Sequence, residues 1–136
     1  MEKIEIFTVG FCPKPKTQAS YGSVLSVGDY IYESAQKIGV RTKTQSEMIS
    51  VTMAMRCLTK SNYNREIILH IPGIYANQML DRQDGKWVNK VRANAGIVNE
   101  TRAAVEKFTN LTINKTDSKS QQIQRCIEIA KKCLET

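Results

Sequence analysis

The side chains with the greatest capacity for metal or nucleophilic chemistry are four cysteines and a single histidine. They are Cys12, Cys57, Cys126, Cys133 and His70. A structural zinc site needs four such ligands, and two of them usually come from a CxxC or similarly close pair. No two of these cysteines are that close, and one histidine cannot complete the set. The sequence therefore predicts free thiols, no zinc centre and no other cofactor.

Basic side chains offer a different chemistry, the binding of phosphate. Twenty Lys and Arg stand against 13 Asp and Glu, which gives a formal net charge of +7 at pH 7. Such a balance favours a polyanionic partner. The basic residues are dispersed and form no tail, so charge alone is equally compatible with a basic protein that binds no nucleic acid.

Length and composition predict one domain over residues 1–136. A chain of 136 residues with 41% hydrophobic residues can bury one substantial core. No segment approaches the roughly 18 apolar residues that cross a bilayer. Glu2, Lys3 and Glu5 interrupt the N-terminus where a signal peptide needs an apolar run. We expect a soluble, cytoplasmic protein without a membrane partner.

The first half of the chain predicts three strands and a helix. Residues 3–9, 21–27 and 30–38 are rich in β-branched and aromatic residues and resemble an antiparallel meander. From Thr44 onward, apolar residues recur every three or four positions, as in an amphipathic helix of about four turns. Thr44-Gln-Ser-Glu47 has the composition of a capping box, which gives Glu47 a structural task at the start of that helix.

The second half predicts strands that alternate with helices. In order, we expect a strand over 65–71 that Pro72-Gly73 closes, a short helix over 75–80, a turn at Asp84-Gly85, a helix from Val98 to Phe108, a strand over 111–115 and a helix with an apolar stripe from Ile123 to Leu134. An antiparallel start followed by helix-separated strands indicates an α/β fold with a mixed sheet and helices on its faces.

Four segments resemble motifs of the ribonuclease H family, in the family's order. The family's first strand ends in Thr-Asp-Gly-Ser, which is similar to Thr8-Val9-Gly10-Phe11, and Tyr21-Gly22 follows at the family's spacing. The family's Thr-Asn-Asn-x-x-Glu resembles 42–47, its Thr-Asp-Ser-x-Tyr resembles 71–75, and its Asn-Glu-x-x-Asp-x-x-Ala resembles 123–130. The resemblance implies a mixed five-stranded sheet, three antiparallel strands followed by two parallel ones, flanked by helices.

The resemblance also implies a depleted site. The family holds two divalent ions with four carboxylates, so that one ion activates water and the other stabilises the leaving oxygen. The corresponding positions here are Val9, Glu47, Pro72 and Ile127, so a single carboxylate remains, and Asp117 stands where the family has a mobile histidine. We therefore expect a dry, packed cleft that holds no metal, and a domain that does not catalyse hydrolysis.

Other acidic residues are poor substitutes. Glu128 follows Ile127 but is rotated by about 100° around its helix. Glu5 lies on the strand face of Val9, about 13 Å away in an extended chain. Asp117 lies on a loop that could swing inward, and we expect His70 to be a packed or solvated strand residue.

Three functions remain open at this level. The first is a module that binds an RNA/DNA hybrid or double-stranded RNA through phosphate and 2′-hydroxyl contacts without cutting it. Its candidate contacts, each of which could equally be a solvated surface residue, are Lys14, Lys16, Lys43, Thr44, Lys115 and Lys119.

The second function is a protein-docking scaffold that uses exposed apolar residues, with Trp87, Tyr75 and the altered cleft (Val9, Phe11, Pro72, Ile74) as the candidate surface. The third is an active, Mg²⁺-dependent hybrid ribonuclease with a non-standard site. Salt dependence separates the first two, since phosphate binding weakens as salt rises and apolar docking does not.

Overall fold

The computed structural model describes residues 2–136, which form one five-stranded sheet with helices on both faces. The sheet contains β1 (Ile4–Phe11), β2 (Thr17–Val27), β3 (Tyr30–Arg41), β4 (Ile67–Ile71) and β7 (Leu111–Lys115), and a separate small hairpin contains β5 (Arg82–Gln83) and β6 (Lys86–Trp87). The helices are α1 (Lys43–Met55), α2 (Ile74–Met79), α3 (Ala95–Glu106) and α4 (Gln121–Leu134), and a 3₁₀ turn covers Lys60–Asn62.

The strand order confirms the predicted sheet. The strands lie in the order β3-β2-β1-β4-β7. The β1/β2 and β2/β3 pairs are antiparallel, whereas β1/β4 and β4/β7 are parallel. Because β1, β4 and β7 run in the same direction, their carboxyl ends meet at one edge of the sheet.

Alternation along β1 gives each face of the sheet its own core. Ile4 and Ile6 face the larger core, which is built with residues of α1, α3 and β4. Phe7 and Val9 face a smaller core with Val24 and the buried Ile123 and Cys126 of α4. The period of two in the strand and the apolar stripe of α4 are the local causes of this division.

The predicted capping box at Thr44 and Glu47 is wrong by two residues. The cap of α1 is Thr42, whose Oγ1 accepts a hydrogen bond from the Gln45 N–H at 3.2 Å, and the Gln45 side chain accepts the Thr42 N–H at 3.0 Å. An amide serves this reciprocal cap as well as a carboxylate does. Glu47 is thereby free for a different contact.

Other differences lie at element ends. β2 begins at Thr17 and β3 continues to Arg41, so both strands extend beyond the predicted ranges, and β4 begins only at Ile67. The Asp84-Gly85 turn closes the hairpin of β5 and β6, which the sequence did not predict as strands.

All four cysteines are free, as predicted. Across residues 2–136, no helix is long and apolar enough to cross a membrane.

Candidate nucleic-acid interface

A cleft opens at the edge of the sheet where β1 and β4 end. It has a volume of about 140 Å³ and is lined by Thr8, Val9, Gly10, Glu47, Ser50, Ile71, Pro72, Gly73 and Ala76. β1 packs directly on the start of α1, since a Cβ at Gly10 would lie 2.2 Å from the Ser46 carbonyl oxygen. Three of the four positions singled out by the family resemblance, Val9, Glu47 and Pro72, therefore line one cleft.

Glu47 caps the short helix α2 from inside this cleft. Its Oε2 accepts a hydrogen bond from the Ala76 N–H at 3.3 Å. Its carboxylate also lies directly against Gly73, where a Cβ would come within 2.3 Å of Oε1. Burial raises the pKa of Glu47, and the Ala76 hydrogen bond offsets part of that rise. The one remaining carboxylate of the cleft thus serves the fold.

The other three positions singled out by the family resemblance are apolar. Val9 is buried in the smaller core, and Ile127 packs against the same core from α4. Pro72 follows the end of β4 and lines the cleft. The expected apolar packing is present at Val9 and Ile127, but the cleft is not filled, and Thr8, Ser50 and Glu47 keep polar atoms along it.

This set of side chains does not fit a two-metal centre. Mg²⁺ binds through hard oxygen ligands, mostly carboxylates, phosphates and water. Glu47 is the only acidic residue among those that line the cleft. Over residues 2–136, no three His, Cys, Asp or Glu side chains converge on a common point.

The possible substitutes lie elsewhere. His70 stacks on Phe7 with ring centroids 4.2 Å apart, and its ring nitrogens lie 3.0 Å from Thr116 Oγ1 and 3.1 Å from Glu5 Oε1. His70 is therefore a packed strand residue, and Glu5 is its partner. Glu128 pairs with Arg125 on the outer surface of α4.

The first group of candidate contacts, Lys14, Lys16, Lys43 and Thr44, comes together beside the cleft. Lys16 has left-handed backbone, with φ of 60°, and its N–H donates to the Arg41 carbonyl at 2.9 Å. This bond holds the β1–β2 loop against the end of β3, one residue before the cap of α1. The side chains of Lys14, Lys16 and Lys43 are exposed there. We call this group, with Arg41 and Asn94, the basic corner.

Asn94 is a member of the basic corner that the sequence reasoning missed. It precedes α3 in left-handed conformation with φ of 58°. Its Oδ1 accepts from Gln45 Nε2 at 3.2 Å, and its Nδ2 donates to Thr44 Oγ1 at 3.4 Å. These bonds join the starts of α1 and α3. An Asn just before a helix was the available signal, because Asn tolerates the left-handed region better than most residues.

The second group, Lys115 and Lys119, lies on the other side of the cleft. Lys115 ends β7 and is paired with Ile71, which is adjacent to Pro72. The Lys119 N–H donates to Asp117 Oδ1 at 2.8 Å, so Asp117 organises the loop before α4. Both lysines are exposed. The six predicted contacts thus flank the cleft in two groups instead of forming one patch.

The apolar docking candidates do not form one surface. Trp87 is half-buried between the guanidinium carbons of Arg82 and Arg102, which lie 4.9 and 4.6 Å from its ring centroid. The Tyr75 hydroxyl donates to the Ala93 carbonyl. Only Ile74 is strongly exposed, at 62%. Trp87 was expected to be exposed, and that expectation is wrong because two arginines cover its faces.

We expect Gly73→Ala to destabilise the fold by about 1–2 kcal/mol, the range of a tight site forced to accept a methyl group. The new Cβ would displace the Glu47 carboxylate from its hydrogen bond with Ala76. Gly96→Ala is the matched control, since no atom lies within 4 Å of a Cβ there. Because Gly96 lies in a helix, its replacement by alanine should stabilise the fold by about 0.5 kcal/mol. Urea unfolding measures the free energy of unfolding of both variants. Equal changes in that free energy would contradict the close contact between Gly73 and the Glu47 carboxylate.

Glu47→Gln should make the fold more stable at pH 8 than the natural chain. A carboxyl whose pKa is higher in the folded than in the unfolded state opposes folding once it is ionised, so stability falls as pH rises through that range. Glutamine carries no charge and can still accept from Ala76. The advantage should vanish as pH falls below about 4, where both states are protonated. A variant that is less stable at pH 8 would contradict this role for burial.

Solved structures share this fold, whereas no family model and no curated protein matches the sequence. RNase H1 of the halophilic archaeon Halobacterium salinarum NRC-1 has a TM-score of 0.77 at 19% identity over 98% of both chains. LC11-RNase H1, isolated from compost by a metagenomic approach, has a TM-score of 0.81 at 19% identity over 99% of this chain and 97% of its own.

A structure of LC11-RNase H1 in complex with an RNA/DNA hybrid also matches, with a TM-score of 0.75 at 18% identity over 97% of this chain and 96% of that one. At these identities the similarity is one of fold. The chain has a ribonuclease H-like fold over nearly its whole length.

Proposed function

We propose that this chain is a ribonuclease H-like module that binds an RNA/DNA hybrid or double-stranded RNA and does not cleave it. The proposal rests on the side chains that line the cleft. Val9 and Pro72 contribute no ligand to it, and the carboxylate of Glu47 is committed to Ala76 and Gly73. A phosphodiester at this edge of the sheet would meet no group able to hold two metal ions.

The electrostatics of the cleft favour binding over cleavage. Four clustered carboxylates repel a phosphate backbone unless cations neutralise them. This chain has a single, half-buried carboxyl there, and burial raises its pKa. The protein as a whole carries a net charge of +7. Phosphates can therefore approach the cleft edge without a metal ion.

The two lysine groups support a duplex lying across the cleft. The basic corner presents Lys14, Lys16 and Lys43 on one side, and Lys115 and Lys119 stand on the other. Lysine and small polar groups on either side of a cleft suit the two backbones that border a wide, shallow minor groove. Thr44 and Asn94 add polar groups held in place by their mutual hydrogen bond.

The comparison with LC11-RNase H1 supports the choice of ligand. That protein has been solved with an RNA/DNA hybrid, and its fold matches this chain at a TM-score of 0.75. Contacts to phosphate and 2′-hydroxyl groups require no carboxylates, so loss of a metal site is compatible with retention of the binding mode.

Fluorescence anisotropy with three end-labelled duplexes tests the ligand class. At 0.1 M salt we expect the hybrid and duplex RNA to bind more tightly than duplex DNA of the same sequence, because only RNA strands carry 2′-hydroxyls. Equal affinity for all three would indicate phosphate binding alone and would contradict a minor-groove mode. Absence of binding to all three would overturn the proposal.

A metal-dependent ribonuclease is the second candidate, and Glu47 is the one observation that favours it. If that mechanism operated, labelled hybrid would be cut in the presence of Mg²⁺ or Mn²⁺, and Glu47→Gln would abolish the cutting. We expect no cleavage by either protein. Cleavage that depends on Glu47 would overturn the proposed function in favour of this candidate.

A further inference from the structure

Strand β3 exposes an unusually long free edge. It spans twelve residues and pairs only with β2, so one side of its backbone has no strand partner within residues 2–136. Large apolar side chains are exposed along it: Tyr30 and Ile31 at 63%, Tyr32 at 46% and Val40 at 65%. A long, apolar edge strand is a template for pairing with another strand.

The usual safeguards against such pairing are weak here. Charged side chains and prolines commonly block exposed edges, but β3 contains no proline. The Glu33 carboxylate binds Arg125 of α4 at 2.6 and 2.8 Å, and Lys37 Nζ donates to the Thr136 carbonyl at 2.8 Å. Both charged side chains contact their own chain on the α4 face of β3 and remain partly exposed there, so neither blocks the free edge. A bulge between Lys37 and Gly39 disturbs only the last part of the strand.

We infer that β3 pairs antiparallel with β3 of a second copy of this chain, about a two-fold axis through Ala35. In a two-fold antiparallel pair, a residue that precedes the axis by n positions lies opposite the residue that follows the axis by n positions in the second copy. An axis at Ala35 sets Glu33 opposite Lys37 of the second copy, which is a favourable cross-strand pair on the face of α4. An axis at Glu33 or at Lys37 would instead set like charges against each other.

The other face of β3 is also complementary in this register. A groove of about 520 Å³ lies between β3, α1 and α3. Its lining is mixed: Ile38, Ile49, Met53 and Ile97 are apolar, and polar and charged residues such as Arg41 and Glu100 line the rest. Tyr32 lies on this face, since it pairs with Leu25, which packs against the α1-side core. The register brings Tyr32 of the second copy to Ile38, the residue at the bulge, which lines the groove. The exposed, amphipathic tyrosine of each copy therefore meets a groove of mixed lining in the other, with apolar residues for its ring and polar groups for its hydroxyl.

Sedimentation velocity over 5–200 μM protein, without nucleic acid, tests the pairing. The natural chain should form a dimer of twice its 15.4 kDa mass, and dimerisation should strengthen at higher salt because each copy carries a net charge of +7. Tyr32→Lys should weaken dimerisation at least about 10-fold, as expected for a central aromatic contact. Val88→Lys is the control, since Val88 is 47% exposed but lies outside β3.

A natural chain that is monomeric up to 200 μM would overturn the inference. An equal loss of dimer in Val88→Lys and Tyr32→Lys would also overturn it, because the effect would then come from added charge alone.

A charge exchange between two variants tests the register itself. Glu33→Lys and Lys37→Glu should each dimerise poorly alone, since each sets like charges opposite one another at both ends of the pair. An equimolar mixture should form heterodimers, because both cross-strand pairs are then of opposite charge. Native mass spectrometry distinguishes the species, and circular dichroism confirms that each variant is folded. A mixture without heterodimers would overturn the proposed axis at Ala35.

Discussion

Replacing Lys16 and Lys43 together by glutamine is expected to weaken binding of an RNA/DNA hybrid by about 50-fold at 0.1 M salt. Each phosphate contact that is lost removes about one released counterion, which corresponds to somewhat less than a factor of 10 at this salt concentration. The two residues lie in the basic corner, where the Lys16 backbone is fixed to Arg41. The slope of log affinity against log salt should fall by about 2 in the same titration.

Lys60 and Lys107 provide the matched control. Both lie beyond the C-terminal ends of α1 and α3, at the end of the domain away from the cleft. Their double glutamine variant has the same net charge as the Lys16/Lys43 variant. The Lys60/Lys107 variant should retain nearly the full affinity for the hybrid and nearly the full slope of log affinity against log salt. Equal losses in the two double variants would mean that net charge, not the basic corner, governs binding.

Arg102→Met is expected to have the largest effect on stability, a loss of about 3 kcal/mol. The buried guanidinium donates to the Met79 carbonyl at 2.8 Å and to the Asn89 carbonyl at 2.9 Å, and it also stacks on Trp87. Charged hydrogen bonds of this kind contribute about 1.5–3 kcal/mol each when their partners are left unsatisfied. Methionine preserves the apolar stem but none of the donors. Chemical unfolding measures the loss.

Arg56→Met is the control for that substitution. Arg56 pairs with Glu100, but both side chains are more than half exposed. Surface ion pairs contribute about 0–1 kcal/mol, so the change should be small. The Arg102→Met variant should also bind nucleic acid less tightly under conditions where it is folded. Arg102 holds the Asn89 carbonyl, and the segment that follows Asn89 leads to Asn94 of the basic corner. Equal stability losses for the two variants would contradict the anchoring role of Arg102.

The individual strands and helices could be predicted because their causes are local, whereas the topology of the sheet was implied by the family resemblance. Each strand of the sheet carries β-branched or aromatic residues, and the change from a period of two to a period of three or four near Thr44 marks the first helix. The apolar stripe of α4 likewise predicted a helix packed on one sheet face, which the buried Ile123 and Cys126 confirm. Motif order then indicated the ribonuclease H-like topology.

The interior of the site could not be predicted because its contacts are long-range. Glu47 was expected to cap its own helix, but it caps α2, because Thr42 and Gln45 already satisfy the start of α1. Asn94 lies 49 residues from the Gln45 that it contacts. Similarly, no pattern near Trp87 indicates that Arg102 covers one of its faces. Such partners become visible only when the chain is folded.

The grouping of the lysines beside the cleft also could not be predicted from the sequence. Their dispersion along the chain gave no patch, because residues 14–44 contribute one group and residues 115–119 contribute the other. The parallel pairing of β4 with β7 brings Lys115 beside Ile71, at the edge where β1 also ends. Sheet topology therefore converts scattered charges into a basic rim on both sides of one cleft.

Binding without cleavage can be tested in a single experiment. The anisotropy of an end-labelled RNA/DNA hybrid is measured in Mg²⁺ at several salt concentrations, and the same samples are then run on a denaturing gel. We expect micromolar binding that weakens steeply as salt rises, with every probe strand intact. A cleaved probe would contradict the proposed loss of catalysis, and a probe that stays unbound at the lowest salt would contradict the proposed nucleic-acid interface.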